Sequence, residues 1–212
     1  MIELYTWGTP NGRKVSIALE EMELEYSVHS INIGMDEQFA PEFLAISPNN
    51  KIPAIRDGET SVFESGAILP YLARKSGRFL APEGSTEYWR TLEWLMWQMG
   101  GFGPMLGQAH HFLQFNAGVS EYAEKRYHTE AKRLYGVLDR QLSLTSHVAG
   151  DELTIADMAI WPWASRFEYQ KLDLNDFPQV KRWYLALAER PGFQRGYAQP
   201  ATGQAIPIPM PS

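Results

Sequence analysis

The 212-residue chain contains no cysteine. That excludes disulfide stapling, thiolate metal sites and a cysteine nucleophile, so in any redox chemistry the sulfur has to arrive on a ligand. Long apolar runs are missing too. Nothing approaches the roughly 18 residues of a membrane span, and residues 1–20 read as folded structure rather than as a charged leader with an apolar centre; a cytoplasmic protein without membrane contact is expected. Positive charge is sparse. With 19 basic against 25 acidic side chains and a formal charge of −6, no basic stripe is present to neutralise phosphates, and nucleic acid is not an expected partner. His110 and His111 have no second pair at ligand spacing, so no metal is expected and the pair reads as hydrogen-bonded histidine lining a cleft or the core. What is present is ordinary globular composition, 44% hydrophobic and 13% aromatic, in a length that fits one large domain or two small ones. A small-molecule enzyme and a protein-interaction module both remain.

Two regions with different periodicities divide the chain. From Met1 to about Arg78, short apolar runs alternate with helix-like segments. Ile2–Trp7 reads as a buried strand, Gly12–Leu24 as a helix and Tyr26–Ile33 as a second strand, together a βαβ unit with a parallel pair. A short helical turn follows at Pro41–Ile46. Ile52–Arg56 and Ser61–Phe63 flank Asp57-Gly58, a hairpin signal that makes these strands antiparallel neighbours. A helix from Ser65 to about Lys75 completes the order βαβαββα, a mixed four-stranded sheet with helices. Residues 79–86, with Pro82 and Gly84, read as a linker. Residues 87–199 show helical periodicity only, with a Gly/Pro cluster at 100–104 kinking the first long helix. A second helix is expected over about Glu121–Leu144, a third from the capping box Thr154-Ile155-Ala156-Asp157, and a fourth over about Val180–Glu189, stopped by Pro191-Gly192. Residues 200–212 form a Pro-rich tail that cannot be helical.

The class alone names no function; the motifs narrow it. Pro48-Asn49-Asn50-Lys51-Ile52-Pro53-Ala54-Ile55, followed ten residues later by Glu64-Ser65-Gly66-Ala67, resembles the glutathione-binding signature of the cytosolic glutathione transferases. Leu153-Thr154-Ile155-Ala156-Asp157 resembles the capping motif of their helical domain. Tyr5–Gly12, Ile46–Pro53 and Gly103–Phe112 are similar to the bacterial nu class, which is related to the transferase-like domain of a yeast nitrogen-regulator prion protein. The resemblance runs from Met1 to about Gln199. It implies a thioredoxin-like domain over residues 1–78 joined to an all-α bundle, a homodimer, glutathione as co-substrate, and reduction of disulfides and some hydroperoxides with two glutathiones bound per site.

The residues make physical sense of these implications. Glu64 and Ser65 stand at a helix start, where free N–H groups and the helix dipole favour an anion; Ser65 would donate to the α-carboxylate of the γ-glutamyl group and Glu64 would pair with its ammonium. Simple capping is the alternative for Ser65. The resemblance implies that Pro53 is cis, presenting the Ile52 backbone to the cysteinyl unit like an added strand; Lys51 is placed for the glycyl carboxylate, with a solvated loop lysine as the alternative. The usual thiol-activating position after the first strand is not filled by Tyr5, which lies inside the strand. That leaves Thr9 as donor to the thiolate and Asn11 as its companion, with turn and cap chemistry as their structural alternative. Gln38 and Arg126 match nu-class positions that contact the second glutathione; each is otherwise a surface residue. Trp7, Phe112, Tyr127 and Trp163, with His110 and His111, are candidates for a pocket wall, against the alternative of core packing. Three functions follow from the resemblance: a glutathione-dependent disulfide-bond reductase, a transferase conjugating glutathione to electrophiles, and a non-catalytic module using the fold for binding.

Overall fold

The computed structural model describes residues 1–210; Pro211 and Ser212, the end of the expected tail, lie outside the described residues. By internal contacts the chain forms two units. One comprises residues 1–80 with 189–206, and the other residues 81–188 with the described residues from 207 onward. Residues 189–199 group by internal contacts with the sheet-bearing unit.

In the first unit the strands are β1 (Ile2–Thr6), β2 (Tyr26–Ser30), β3 (Ala54–Asp57) and β4 (Thr60–Phe63), in the order β2-β1-β3-β4. β1 runs parallel to β2 and antiparallel to β3, which is antiparallel to β4. Leu4 in the central strand lies opposite Val28 on one side and Ile55 on the other. Ile2, Leu4, Ala54 and Ile55 are essentially inaccessible to solvent, so these two inner strands carry the core. The hairpin turns at Gly58, φ +62°, and Asp57 ties it to the following helix by accepting from Tyr71 Oη (2.7 Å) and Lys75 Nζ (2.6 Å).

Three helices pack in this unit: α1 (Pro10–Glu21), the short α2 (Pro41–Leu44) and α3 (Ser65–Ser76), the last ended by Gly77 in the left-handed region. A fourth comes from the far end of the chain. Pro191-Gly192, expected to stop the preceding helix, begins a new one over Pro191–Tyr197. It lies on α1 because Gly192 and Gly196 present no side chain there: a Cβ at Gly196 would stand 2.5 Å from Ile17 Cα, and one at Gly192 would overlap the Glu21 carboxylate. Glu21 in turn accepts from Arg190 (2.6 Å) and Glu20 from Arg195 (2.6 Å). Arg13, fully buried, stacks 3.5 Å from the Tyr197 ring centroid and donates to Tyr197 O and Gln204 Oε1.

The second unit is helical: α4 (Thr86–Trp97), α5 (Gly103–His110), α6 (Glu121–Leu142), α7 (Ile155–Ala164) and α8 (Pro178–Ala188), which makes the C-terminal Pro191–Tyr197 helix α9. The Gly/Pro cluster does not break the first helix; Gln98–Phe102 continues as a wider π turn, and a second π turn spans His111–Phe115. Thr154 and Asp157 close the expected capping box, and Asp157 Oδ1 also accepts from Val148 N and Trp183 Nε1, both at 2.9 Å. Among the described residues no helix is long and apolar enough to cross a membrane, and no group of three His, Asp or Glu gathers as for a metal ion.

Candidate functional site

Strand direction sorts the expected site residues before any side chain is considered. β1 and β2 are parallel, so their C-terminal ends share one edge of the sheet; β3 starts at that edge and β4 finishes there, since Tyr5 pairs with Ala54 and Ala54 with Phe63. The four segments leaving this edge carry Thr9 and Asn11, Gln38, Lys51–Pro53, and Glu64–Ser65. Residues more than 50 positions apart are thus collected at one rim by topology, as ligand sites at strand ends commonly are.

Thr9 is the N-cap of α1, its Oγ1 accepting from Gly12 N at 3.2 Å. Accepting that bond leaves the hydroxyl proton to be donated elsewhere. Gly12 is required by close approach: a Cβ there would overlap Trp7 O and Thr6 Oγ1. Asn11 is half-buried in the first turn, as is Trp7 in the loop before it. The Ile52–Pro53 bond is cis; Lys51 is exposed, and its carbonyl accepts from Ser47 Oγ at 2.8 Å.

At the head of α3, Glu64 is exposed with φ +72° and ψ 114°, a conformation that costs a residue bearing a Cβ roughly 1–3 kcal/mol. Ser65, only 3% exposed, is reached from below by Lys14 of α1, whose Nζ stands 3.3 Å from Ser65 Oγ. Burial pulls the Lys14 ammonium down to about 7, against the opposing pull of Glu64. Sequence reasoning passed over Lys14, although a lysine among Val15, Ala18 and Met22 on the apolar stripe of a helix is a visible signal. It also passed over Asn50, φ +53°. Asn50 Oδ1 and Gln38 Oε1 are buried acceptors with no hydrogen-bond partner among the described residues, suited to the N–H groups of a peptide ligand.

The remaining expected residues belong to the second unit. Arg126 and Tyr127, on α6, line a cleft of about 560 Å³ together with Met105, Tyr122 and Lys125. Phe112 stacks on Tyr127, centroids 5.5 Å apart. His111 is exposed and meets Asn116. His110 is buried, 3.1 Å from Gln170 Nε2, with its ring against Trp163 and Tyr169; burial holds its imidazole down to about 4, so it is neutral and accepts from the amide. Gln170 also donates to Trp163 O (2.9 Å) and accepts from the buried Tyr135 hydroxyl (2.7 Å), so His110 and half-buried Trp163 share a packed polar network.

Residues 1–74 match the model of the glutathione S-transferase N-terminal domain and residues 102–191 that of the C-terminal domain. The chain is 48% identical to the disulfide-bond oxidoreductase YfcG of Escherichia coli K12, over 97% of this chain and 94% of that protein. It is 44% identical to the disulfide-bond oxidoreductase YghU of the same organism, over 92% of this chain and 73% of the relative. A crystal structure of a glutathione transferase family member from Pseudomonas fluorescens Pf-5, with two glutathione bound, superimposes with a TM-score of 0.86 at 44% identity, covering 92% of both chains. A thioredoxin-like four-stranded sheet, an all-α second unit, family models matched over most of the chain and a relative 48% identical over 94% of its own length establish that the chain belongs to the glutathione S-transferase family.

Proposed function

We propose that this transferase is a glutathione-dependent disulfide-bond reductase acting in the cytoplasm as a homodimer, with two glutathiones bound at each site. The observation that carries the reading is the absence of any thiol from a chain so similar to two disulfide-bond oxidoreductases. Both electrons must then come from glutathione. In the first step a glutathione thiolate attacks one sulfur of the substrate disulfide, forming a mixed disulfide and expelling a thiolate that takes up a proton. In the second step the other glutathione thiolate attacks the glutathionyl sulfur, giving oxidised glutathione and the second substrate thiol. Two glutathiones are oxidised for each disulfide reduced. A hydroperoxide would consume the same two equivalents, and its reduction is the expected side activity.

The protein contributes a thiolate and proximity. A free thiol near pKa 8.5 is only a few per cent ionised at pH 7, and lowering it one or two units takes about 1.4–2.7 kcal/mol. The Thr9 hydroxyl and the N-terminus of α1 are the donors for that anion, with Asn11 orienting the neighbouring group. Glu64 and Ser65 anchor the γ-glutamyl end, the Ile52 backbone pairs with the cysteinyl unit, and Lys51 meets the glycyl carboxylate. Gln38 and Arg126 serve the second glutathione. Phe112 and Tyr127 are the aromatic candidates for a substrate wall, while His110 and Trp163 are engaged in their packed network. The cleft beside Tyr127 favours one second reading, conjugation of glutathione to an apolar electrophile.

Glutathione-dependent turnover of hydroxyethyl disulfide, followed for the wild type, Thr9→Ala and Thr9→Ser, tests this. The Ala variant should lose at least tenfold in kcat, beyond the ~1 kcal/mol of stability that a lost cap costs, and the Ser variant should stay within about threefold. Absence of disulfide turnover in the wild type, with conjugation of an aryl halide in its place, would overturn the reductase reading.

A further inference from the structure

Lys14 is 1% exposed, on the buried face of α1, and its charge is used by nothing in the scheme above. Burying an ammonium is expensive unless something compensates it, and a well-packed apolar residue would cost less. Apolar residues fill other buried positions of this helix, so the alternative was available: Val15, Ala18 and Leu19 are fully buried. Among its contacts the Lys14 ammonium reaches Ser65 Oγ, at 3.3 Å.

We propose that Lys14 is the positioning residue of the γ-glutamyl subsite: its ammonium donates to Ser65 Oγ, turns the Ser65 hydroxyl proton towards the ligand, and supplies the positive charge beneath the bound α-carboxylate. The inference rests on the assignment of Ser65 as the γ-glutamyl anchor. Its physical basis is the direction of the bond. An ammonium only donates, so Ser65 Oγ must accept from it, and the serine's own O–H is then directed away from Lys14. A serine bond to a carboxylate is charge-assisted through its acceptor alone; a cation behind the serine polarises the hydroxyl into a stronger donor and adds its own attraction to the anion. The charged groups around α1 leave this role to Lys14. Glu64, at the head of α3, faces it and opposes its deprotonation. From α9, Arg190 and Arg195 pair with Glu21 and Glu20 farther along α1, and on β1 Glu3 pairs with Arg56 and His29.

A consequence distinguishes this role from packing. In the free protein the ammonium is already half-deprotonated near pH 7; an α-carboxylate arriving above it favours the charged form, so binding must draw in a proton. S-methylglutathione keeps the α-carboxylate and has no ionisable thiol. Calorimetry in buffers of different ionisation enthalpy at pH 8 should therefore report uptake of ~0.5 proton or more per ligand bound by the wild type. Lys14→Met should take up none and bind at least tenfold more weakly, with KM for glutathione raised and kcat changed far less. Lys14→Arg should take up none but recover part of the affinity. An analogue with γ-aminobutyryl in place of γ-glutamyl, lacking the α-carboxylate, should bind the wild type and Lys14→Met within about threefold of each other. Thermal melts of each variant establish that it is folded.

Equal affinity of the wild type and a folded Lys14→Met for S-methylglutathione, or binding by the wild type without proton uptake, overturns the role of Lys14 while leaving the subsite intact. Binding by the wild type that Ser65→Ala leaves unchanged overturns the subsite assignment itself, and the Lys14 role with it.

Discussion

A buried histidine records its environment as a dependence of stability on pH. His110 sits against Trp163, Tyr169 and Gln170 with its pKa held down to about 4 by burial and, secondarily, by Arg166. The unfolded chain binds a proton at this residue near pH 6.5 and the folded chain does not until about pH 4. Stability is therefore full above pH 6.5 and falls as the pH drops through that window, by on the order of 3 kcal/mol in all. Urea unfolding at pH 7, 6 and 5 should show His110→Gln losing less stability over this range than the wild type, because a glutamine still accepts from Gln170 but cannot titrate. Parallel slopes for the two proteins would assign the loss to the carboxylates alone. Lys14 acts with the same sign in a higher pH window. Its folded pKa lies below its unfolded value, so above about pH 7 the unfolded chain binds the extra proton and stability rises with pH. Residues that cost stability in their working state are expected where function retains them.

Among the elements, two are held by partners distant in sequence. α8 begins at Pro178, and Asp139, on α6, accepts from Gln179 N (2.8 Å) and Val180 N (3.0 Å) of its first turn. A carboxylate on the first turn of a helix satisfies orphan donors and complements the dipole. α9 is held by shape. Its Gly196 lies so near Ile17 that a methyl group would meet backbone atoms of α1 rather than a yielding side chain. Gly196→Ala should destabilise the protein by ~1–3 kcal/mol, seen as a lowered melting temperature, whereas Gly136→Ala, on α6 with only the Arg140 side chain within reach at 3.7 Å, should be neutral or slightly stabilising. A melting temperature unaffected by Gly196→Ala would mean that α9 is not seated on α1 in solution.

For the molecule as a whole, the question is how many glutathiones one chain holds. The reductase scheme needs two sulfurs in contact, and conjugation needs one glutathione and an open place for the electrophile. Equilibrium dialysis at saturating glutathione should return two equivalents per chain under the reductase reading and one under the conjugating reading. Arg126→Ala should take the count from two towards one, since Arg126 is assigned to the second glutathione and lies apart from the sheet-edge residues in sequence and element. A count of one in the wild type would remove the resolving thiol and with it the second step of the scheme.

Much of this was legible in the chain because the signals are local. Alternation in Ile2–Trp7, the Asp57-Gly58 turn, the Thr154–Asp157 box and Pro53 before an apolar strand each depend on a few neighbouring residues, and strand order follows from short connections of fixed hand. Ser65 and Thr9 could be named for the same reason: a cap and an anion site are both properties of a helix start. What local pattern cannot carry is the identity of a distant partner. Arg13 and Lys14 are adjacent, similar in chemistry and both buried. One holds the C-terminal segment through Tyr197 and Gln204 and the other lies beneath Ser65, a division set by which side of α1 meets α9 and which meets α3. The start of α9 at Pro191, read in sequence as a stop, was likewise decided by the groove that Ile17 and Glu21 offer to two glycines. The sequence by itself determined the four strands and their order along the chain, the helical character of the second region, and the family. Only the tertiary structure decided which buried charge serves the rim and which serves the fold, because that depends on contacts closed across tens of residues, where no local periodicity reaches.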